Sequence, residues 1–102
     1  MVDIRVGTII SAKENLKLKN PSIILKIDFG EKIGIKKSSA QLTKNYKPEN
    51  LINKQIAAVV NFESKQIGNL ISEVLVLGFP DCSNEPILIE PNKTIPNGGK
   101  LF

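Results

Sequence analysis

An all-β fold is what the sequence predicts, on three observations. Apolar, largely β-branched residues alternate with polar ones at period two in several stretches. Clusters of Gly, Pro and Asn separate those stretches as turns do. The order that results is five main strands with one short helix between the third and the fourth. With 102 residues the length fits one domain, residues 1–102, with a core modest enough that pairing with a second copy would add useful burial.

The first strand covers Asp3 to Lys13, with Ile4, Val6, Thr8, Ile10 and Ala12 on one face. Gly7 within it marks a bulge or a close backbone approach. Residues 14–21 break the alternation and form a first loop that carries Lys17 and Lys19 outward. Ser22 to Phe29 sets Ile23, Leu25, Ile27 and Phe29 against Ile24, Lys26 and Asp28, a half-buried second strand. Gly30-Glu31-Lys32 turns the chain into a short third strand, Ile33 to Lys36. Ser38 or Ser39 can cap a short helix over Ala40 to Lys44, because a hydroxyl accepts a bond from an orphaned first-turn amide. Pro48 suits the first position of a further turn or helical turn.

The fourth strand, Lys54 to Phe62, is almost continuously apolar, which implies burial on both faces. Residues 64–69 form a loop. Leu70 to Phe79 makes the fifth strand, with Leu70, Ser72, Val74 and Val76 on one side and Ile71, Glu73, Leu75, Leu77 and Phe79 on the other. A barrel strand needs one apolar face, so the second must meet an added segment of chain or another subunit. The tail supplies such a segment, with a sixth strand at Pro86 to Glu90 and a turn-rich return through residues 91–99 to Lys100-Leu101-Phe102.

The inventory of reactive side chains narrows the function classes. Histidine is absent and Cys82 is the single cysteine. An internal disulfide, a histidine-activated nucleophile and the usual zinc sites are thereby excluded. The ten carboxylates fall at no motif spacing, and the sequence contains neither a GxxxxGK[ST] nor a GxGxxG phosphate loop. The expectation is a non-catalytic protein without metal or cofactor. The apolar runs are too short to span a membrane, and the N-terminus lacks the features of a secretory signal, so a cytoplasmic location is expected.

The formal charge of +4 is unevenly spread. Residues 1–51 carry Arg5 and nine lysines against five acids, whereas residues 52–102 carry four lysines against five acids. That surplus is either an electrostatic footprint for nucleic acid or a solvated surface kept for solubility. Thirteen lysines to one arginine favour mobile point charges over bidentate base reading, so nucleic-acid binding would be led by shape and steeply dependent on salt.

Five strands with a helix after the third is the order of the OB-fold barrel, whose face of strands two and three commonly receives nucleic acid. Lys36, Lys37 and Lys44 stand beside Ser38, Ser39 and Gln41, an assembly of point charges and neutral hydrogen-bonding groups suited to phosphate and sugar. The same stretch also reads as a capped helix with solvated lysines. Phe62 could stack on an unpaired base or pack in the core, and Arg5 could meet nucleic acid or a carboxylate.

Taken together, Asp3-Ile4-Arg5-Val6-Gly7-Thr8-Ile9, Ile27-Asp28-Phe29-Gly30, the run from Lys36 to Thr43, Ala58-Val59-Val60-Asn61-Phe62 and the run from Ser72 to Gly78 resemble the CsaA-like branch of the dimeric tRNA-binding domain family. The wider family includes the tRNA-binding appendage of methionyl-tRNA synthetases. The resemblance implies a homodimeric OB-fold with N- and C-terminal extensions at the dimer interface, and tRNA as partner. It adds Asn61, which ends strand four, and Ser72 to the RNA-binding set of Lys36, Lys37, Ser38, Ser39, Gln41 and Lys44. For the CsaA-like branch it also implies an export chaperone whose apolar groove receives unfolded polypeptides. Ile71, Leu75 and Phe79 would then line that groove or form the subunit contact.

Overall fold

Strand β1 (Ile4–Asn15) is long enough to serve two neighbours. Its second half pairs antiparallel with β2 (Ser22–Asp28) and its first half with β4 (Gln55–Val59). A strand shared in this way must bend, and two features permit it. An extra residue at Ile10 shifts the register against β2 between Ile9 and Ser11, as a bulge does. At Gly7 a Cβ would lie 2.6 Å from Ile27 Cγ2 and 2.7 Å from Phe29 Cδ1, so only glycine lets the backbone come so close to the core.

The computed structural model describes residues 1–15, 21–67 and 70–102. The first loop with Lys17 and Lys19, and Gly68 of the later loop, lie outside the described residues. Five antiparallel strands form the main sheet in the order β3-β2-β1-β4-β7, where β3 is Ile35–Ala40 and β7 is Leu75–Val76. The sheet curls until β3 packs against β7 and against β6 (Leu70–Ser72). A four-residue helix, α1 (Pro48–Leu51), separates β3 from β4, with Pro48 in its first turn and Leu51 buried. This is the OB-fold arrangement predicted from strand order. Its interior is filled by Ile9, Ile23, Leu25, Ile27, Phe29, Leu42, Leu51, Ile56, Ala58, Val74 and Leu88.

Five expectations are corrected. No helix forms over residues 40–44. β3 starts later than expected and runs on to Ala40, followed by a turn in which the Asn45 and Tyr46 amides bond the Leu42 carbonyl. The serines that could have capped a helix are used in the sheet: the Ser38 hydroxyl donates to the Val74 carbonyl at 3.0 Å, and the Ser39 amide donates to Ser72 Oγ at 3.2 Å. The turn before β3 is also longer than three residues. Phe29 and Gly34 close it through backbone bonds, and Gly30 and Gly34 adopt φ of 91° and 83°, where a side chain would be strained.

The stretch read as a loop over residues 64–69 holds β5 (Lys65–Ile67), which pairs with β6 as a hairpin. The expected long fifth strand is divided into β6, β7 and β8 (Gly78–Pro80), each with a different partner: β5, β4 and β9 (Pro86–Leu88) respectively. Its alternation survives from Ile71 to Leu75 and is lost beyond. Ser72 and Val74 are buried while Ile71, Leu75 and Phe79 are exposed.

The tail behaves as an added segment. Beyond β9, the Ala57 amide donates to the Ile89 carbonyl at 2.9 Å. The chain then returns along the open side of β1, with Val6 bonded to Gly98 and Gly99, and Leu101 bonded to Ile4. Ile4, Val6, Ala57, Ile89, Ile95, Leu101 and Phe102 contribute to an apolar groove of 380 Å³ there. The second face of β4 is thus partly covered by the protein's own C-terminal segment.

Candidate nucleic-acid interface

Cross-strand register decides which side chains share a face, because directly opposed residues in an antiparallel pair point the same way. Across β1, β2 and β3 two outward rows follow: Ser11, Lys26 and Lys37 in one, and Lys13, Ile24 and Ser39 in the next. Lys13, Lys26 and Lys37 are exposed, and no ion pair involves them among the described residues. Lys26 stands directly opposite Lys37. Like charges in that position repel and cost stability unless an anion lies over them.

The outer face of β1–β3 presents Ile10, Ile24 and Ile35 as its large apolar groups, with no aromatic ring among the residues of these rows. Phe29 points inward and is 1% exposed. The Tyr46 hydroxyl is committed to the Leu88 amide at 3.0 Å. A face built this way offers charge and hydroxyl groups to a phosphate–sugar backbone, and no platform for stacking bases.

The residues singled out from sequence are distributed unequally. Lys37 and Ser39 belong to the outer rows, and exposed Gln41 and Lys44 follow at the end of β3. Lys36 is opposite buried Ile27 and therefore stands on the inner side, half-buried at the barrel rim, on the face opposite to Lys37. Ser38 and Ser72 are 3% and 4% exposed, and their hydroxyls lie 3.2 Å apart. Both hydroxyls also lie within hydrogen-bond distance of the Val74 carbonyl, at 3.0 and 3.2 Å, and share their two protons between it and each other, so the pair seals the barrel where β3 meets β6. Asn61 lies apart from this group. Its side chain accepts from the Asp3 amide at 2.8 Å and donates to the Met1 carbonyl, holding the N-terminal segment to the end of β4.

Glu73 takes part in the same seal. One of its carboxylate oxygens accepts the Lys37 amide at 2.9 Å, and its own amide donates to the Lys37 carbonyl at 2.8 Å. The acid thereby stitches β3 to the segment after β6. Arg5 is a structural residue: its guanidinium meets Asp3 at 2.8 Å and the Gly98 carbonyl at 2.9 Å, linking β1 to the returning tail. That bond holds the Asp3 carboxyl below its ordinary pKa. The exposed Cys82 sits in the loop between β8 and β9.

Lys13 and Lys26 are the cationic residues that sequence reasoning did not place in the site. Lys26 was legible as a residue of the polar face of strand two. Its opposition to Lys37 required the register set by the Gly30–Gly34 turn.

A curled five-stranded barrel with a basic, ring-free outer face defines a small OB-fold module of nucleic-acid-binding type. The family model "Putative tRNA binding domain" matches residues 4–100, and the chain belongs to that family. It is 35% identical over 97 residues to the methionine–tRNA ligase of Methanothrix thermoacetophila; the match takes in 95% of this chain and 14% of that protein. The chain thus spans about one-seventh of the length of that relative. Among solved structures, it superposes on the CsaA chaperone of Bacillus anthracis with a TM-score of 0.91 and 48% identity, covering 99% of this chain and 91% of the other. The CsaA chaperone of Picrophilus torridus gives 0.90 and 50%, covering 99% and 92%.

Proposed function

We propose that this protein binds structured RNA, tRNA foremost, as a non-catalytic cytoplasmic homodimer. The observation that carries this reading is the Lys26–Lys37 opposition, in which neither ammonium has an ion-pair partner among the described residues, with Lys13 one row away on the same outer face. The repulsion between those lysines has a use if a run of phosphates is the counterion. Ser11, Ser39, Gln41 and Lys44 add hydroxyl, amide and cationic contacts at the margin. Recognition follows backbone shape, since the face has neither arginine forks nor aromatic rings. Family membership supports tRNA as the RNA concerned. Subunit pairing through the terminal segments would cover the apolar groove bearing exposed Leu101 and Phe102.

A second reading, a chaperone that binds unfolded polypeptide, is supported by the likeness to the two CsaA chaperones and by the exposed Ile71, Leu75 and Phe79. One titration separates the two. tRNA, duplex RNA and an unfolded polypeptide are each added at low and high salt. The RNA reading expects tRNA binding that weakens steeply with salt, whereas apolar burial is indifferent to salt or strengthened by it. Absence of tRNA binding at low salt would overturn the first reading. Light scattering at micromolar concentration tests the dimer, and a monomer would contradict it.

A further inference from the structure

The two edges of the main sheet, β3 and β7, face one another without a backbone ladder between them. Up to Ser39 the gap is bridged by Glu73 and by the Ser38–Ser72 pair. Beyond that point it opens into a groove of 410 Å³, walled by Ser39 and Gln41 on one side and by Leu75 and Leu77 on the other, with Leu42 and Leu88 also lining it.

Backbone geometry indicates what would fit. The Leu77 amide bonds the Ala57 carbonyl and the Leu77 carbonyl accepts the Ile89 amide, so residues 75 and 77 direct their polar groups towards β4 and the segment after β9. Val76, between them, directs its amide and carbonyl away from β4, as alternation in an antiparallel ladder requires. Neither group has a partner among the described residues. On β3, the Lys37 and Ser39 amides face away from β2 and are taken by Glu73 and Ser72. The Ser39 carbonyl has no partner among the described residues. Half-buried edge groups of this kind cost free energy when unmet, and an added strand meets them.

We propose that the β3–β7 seam is a strand-addition site, in which one extended segment of polypeptide pairs with Val76 and sets alternate apolar side chains on Leu42, Leu75 and Leu88. The proposal rests on the peptide-binding reading and says where, and in what conformation, peptide is held. Main-chain bonds give affinity that tolerates many sequences, and the apolar floor selects a side chain at every second position. Nucleic acid fits the groove less well, because no lysine or arginine lines it and Glu85 adds a negative charge to its wall.

The test uses fluorescence anisotropy on the full chain. The probes are a labelled eight-residue peptide alternating valine and threonine, and the same peptide N-methylated throughout. The unmodified peptide should bind, and methylation should weaken binding at least tenfold, since it removes the donors that pair with the edge. Val76→Pro, which deletes the edge amide, should weaken the unmodified peptide about tenfold; circular dichroism checks its fold, and if it unfolds the methylated peptide decides alone. Equal binding of both peptides overturns strand addition but leaves peptide binding standing on the Ile71, Leu75 and Phe79 stripe. Binding of neither, by protein that still binds tRNA, overturns both. Binding of the single-stranded homopolymer poly(U) that weakens about tenfold in Val76→Pro while peptide binding is unchanged would assign the groove to nucleic acid and overturn the proposal.

Discussion

Replacing Lys26 and Lys37 together by alanine separates binding from stability, because phosphate contact and like-charge repulsion give the two effects opposite signs. If Lys13, Lys26, Lys37 and Lys44 each neutralise one phosphate, log K against log salt has a slope of about −3.6, and affinity falls about 150-fold between 50 and 200 mM salt. Removing two contacts reduces the slope to about −1.8 and the fall to about 12-fold. Stability should move the other way. The two lysines are exposed, directly opposed and without ion-pair partners among the described residues. Relieving their repulsion is worth at most a few tenths of a kcal/mol at such a site, so Tm should stay level or rise by about 1–3 °C. The assays are filter binding of tRNA across a salt series and thermal denaturation without RNA. An unchanged salt slope would refute phosphate contact on this face. A Tm lowered by several degrees would refute the claim that the pair is kept for binding at a cost to the fold.

Three further outcomes follow from the same geometry. Gly7→Ala forces a Cβ to 2.6 Å from Ile27 and 2.7 Å from Phe29, an overpacking that should cost about 1–3 kcal/mol and lower Tm by about 5–20 °C in thermal denaturation. Ser38→Ala removes a buried hydroxyl that closes the barrel; urea denaturation should show a loss of about 1–2 kcal/mol, with tRNA affinity at equal folded concentration unchanged within about twofold. Asp81 is held below its ordinary pKa of 3.8 by the Glu85 amide first, then by the Asn45 side chain and the Ser83 amide, and Asp3 is lowered chiefly by its bond from Arg5. Because both folded-state values are lowered, their contribution is complete above the unfolded value and is lost as pH falls below 3.8. Asp81→Asn should therefore narrow the difference in Tm between pH 6 and pH 3.

Part of the barrel was legible because its second strand carries a single pattern, whereas in the first the bulge at Ile10 reverses the expected faces and leaves Ile9 buried and Ile10 exposed. Ile23, Leu25 and Ile27 alternate with Lys26 and Asp28, and all three are buried. Gly7 signalled a close approach that the structure shows against Ile27 and Phe29. What failed was reading the partner of a strand from its alternation. From Ile71 to Leu75 burial alternates with period two, yet β6, β7 and β8 pair in three different sheets. A serine pair before an apolar residue carries the same local signal whether it caps a helix or bonds across a barrel seam. Ser38 and Ser39 find Ser72, Val74 and Ser22, which are distant in sequence, and long-range bonds of this kind are invisible to local pattern.

The candidate site was legible in part for the same reason. Lys37, Ser39, Gln41 and Lys44 are contiguous, so charge and polarity along the chain pointed to them. Lys13 and Lys26 reach the same face only through pairing with β2 and β3. Ser38 and Ser72 fit the chemistry of a sugar or phosphate contact, but β3 turns one inward and β6 the other, where they bond each other. Glu73, an acid at the edge of a basic face, makes sense once its carboxylate is seen on the Lys37 amide.

The central claim, that RNA lies across the outer face of β1–β3, is tested most directly by titrating tRNA into isotopically labelled protein and following backbone amide resonances by NMR. The largest shifts are expected at Ser11, Lys13, Lys26, Lys37 and Ser39, with Asn61 and the exposed stripe of Ile71, Leu75 and Phe79 little affected. Shifts concentrated on that stripe or on the tail groove, with the β1–β3 rows unmoved, would contradict it.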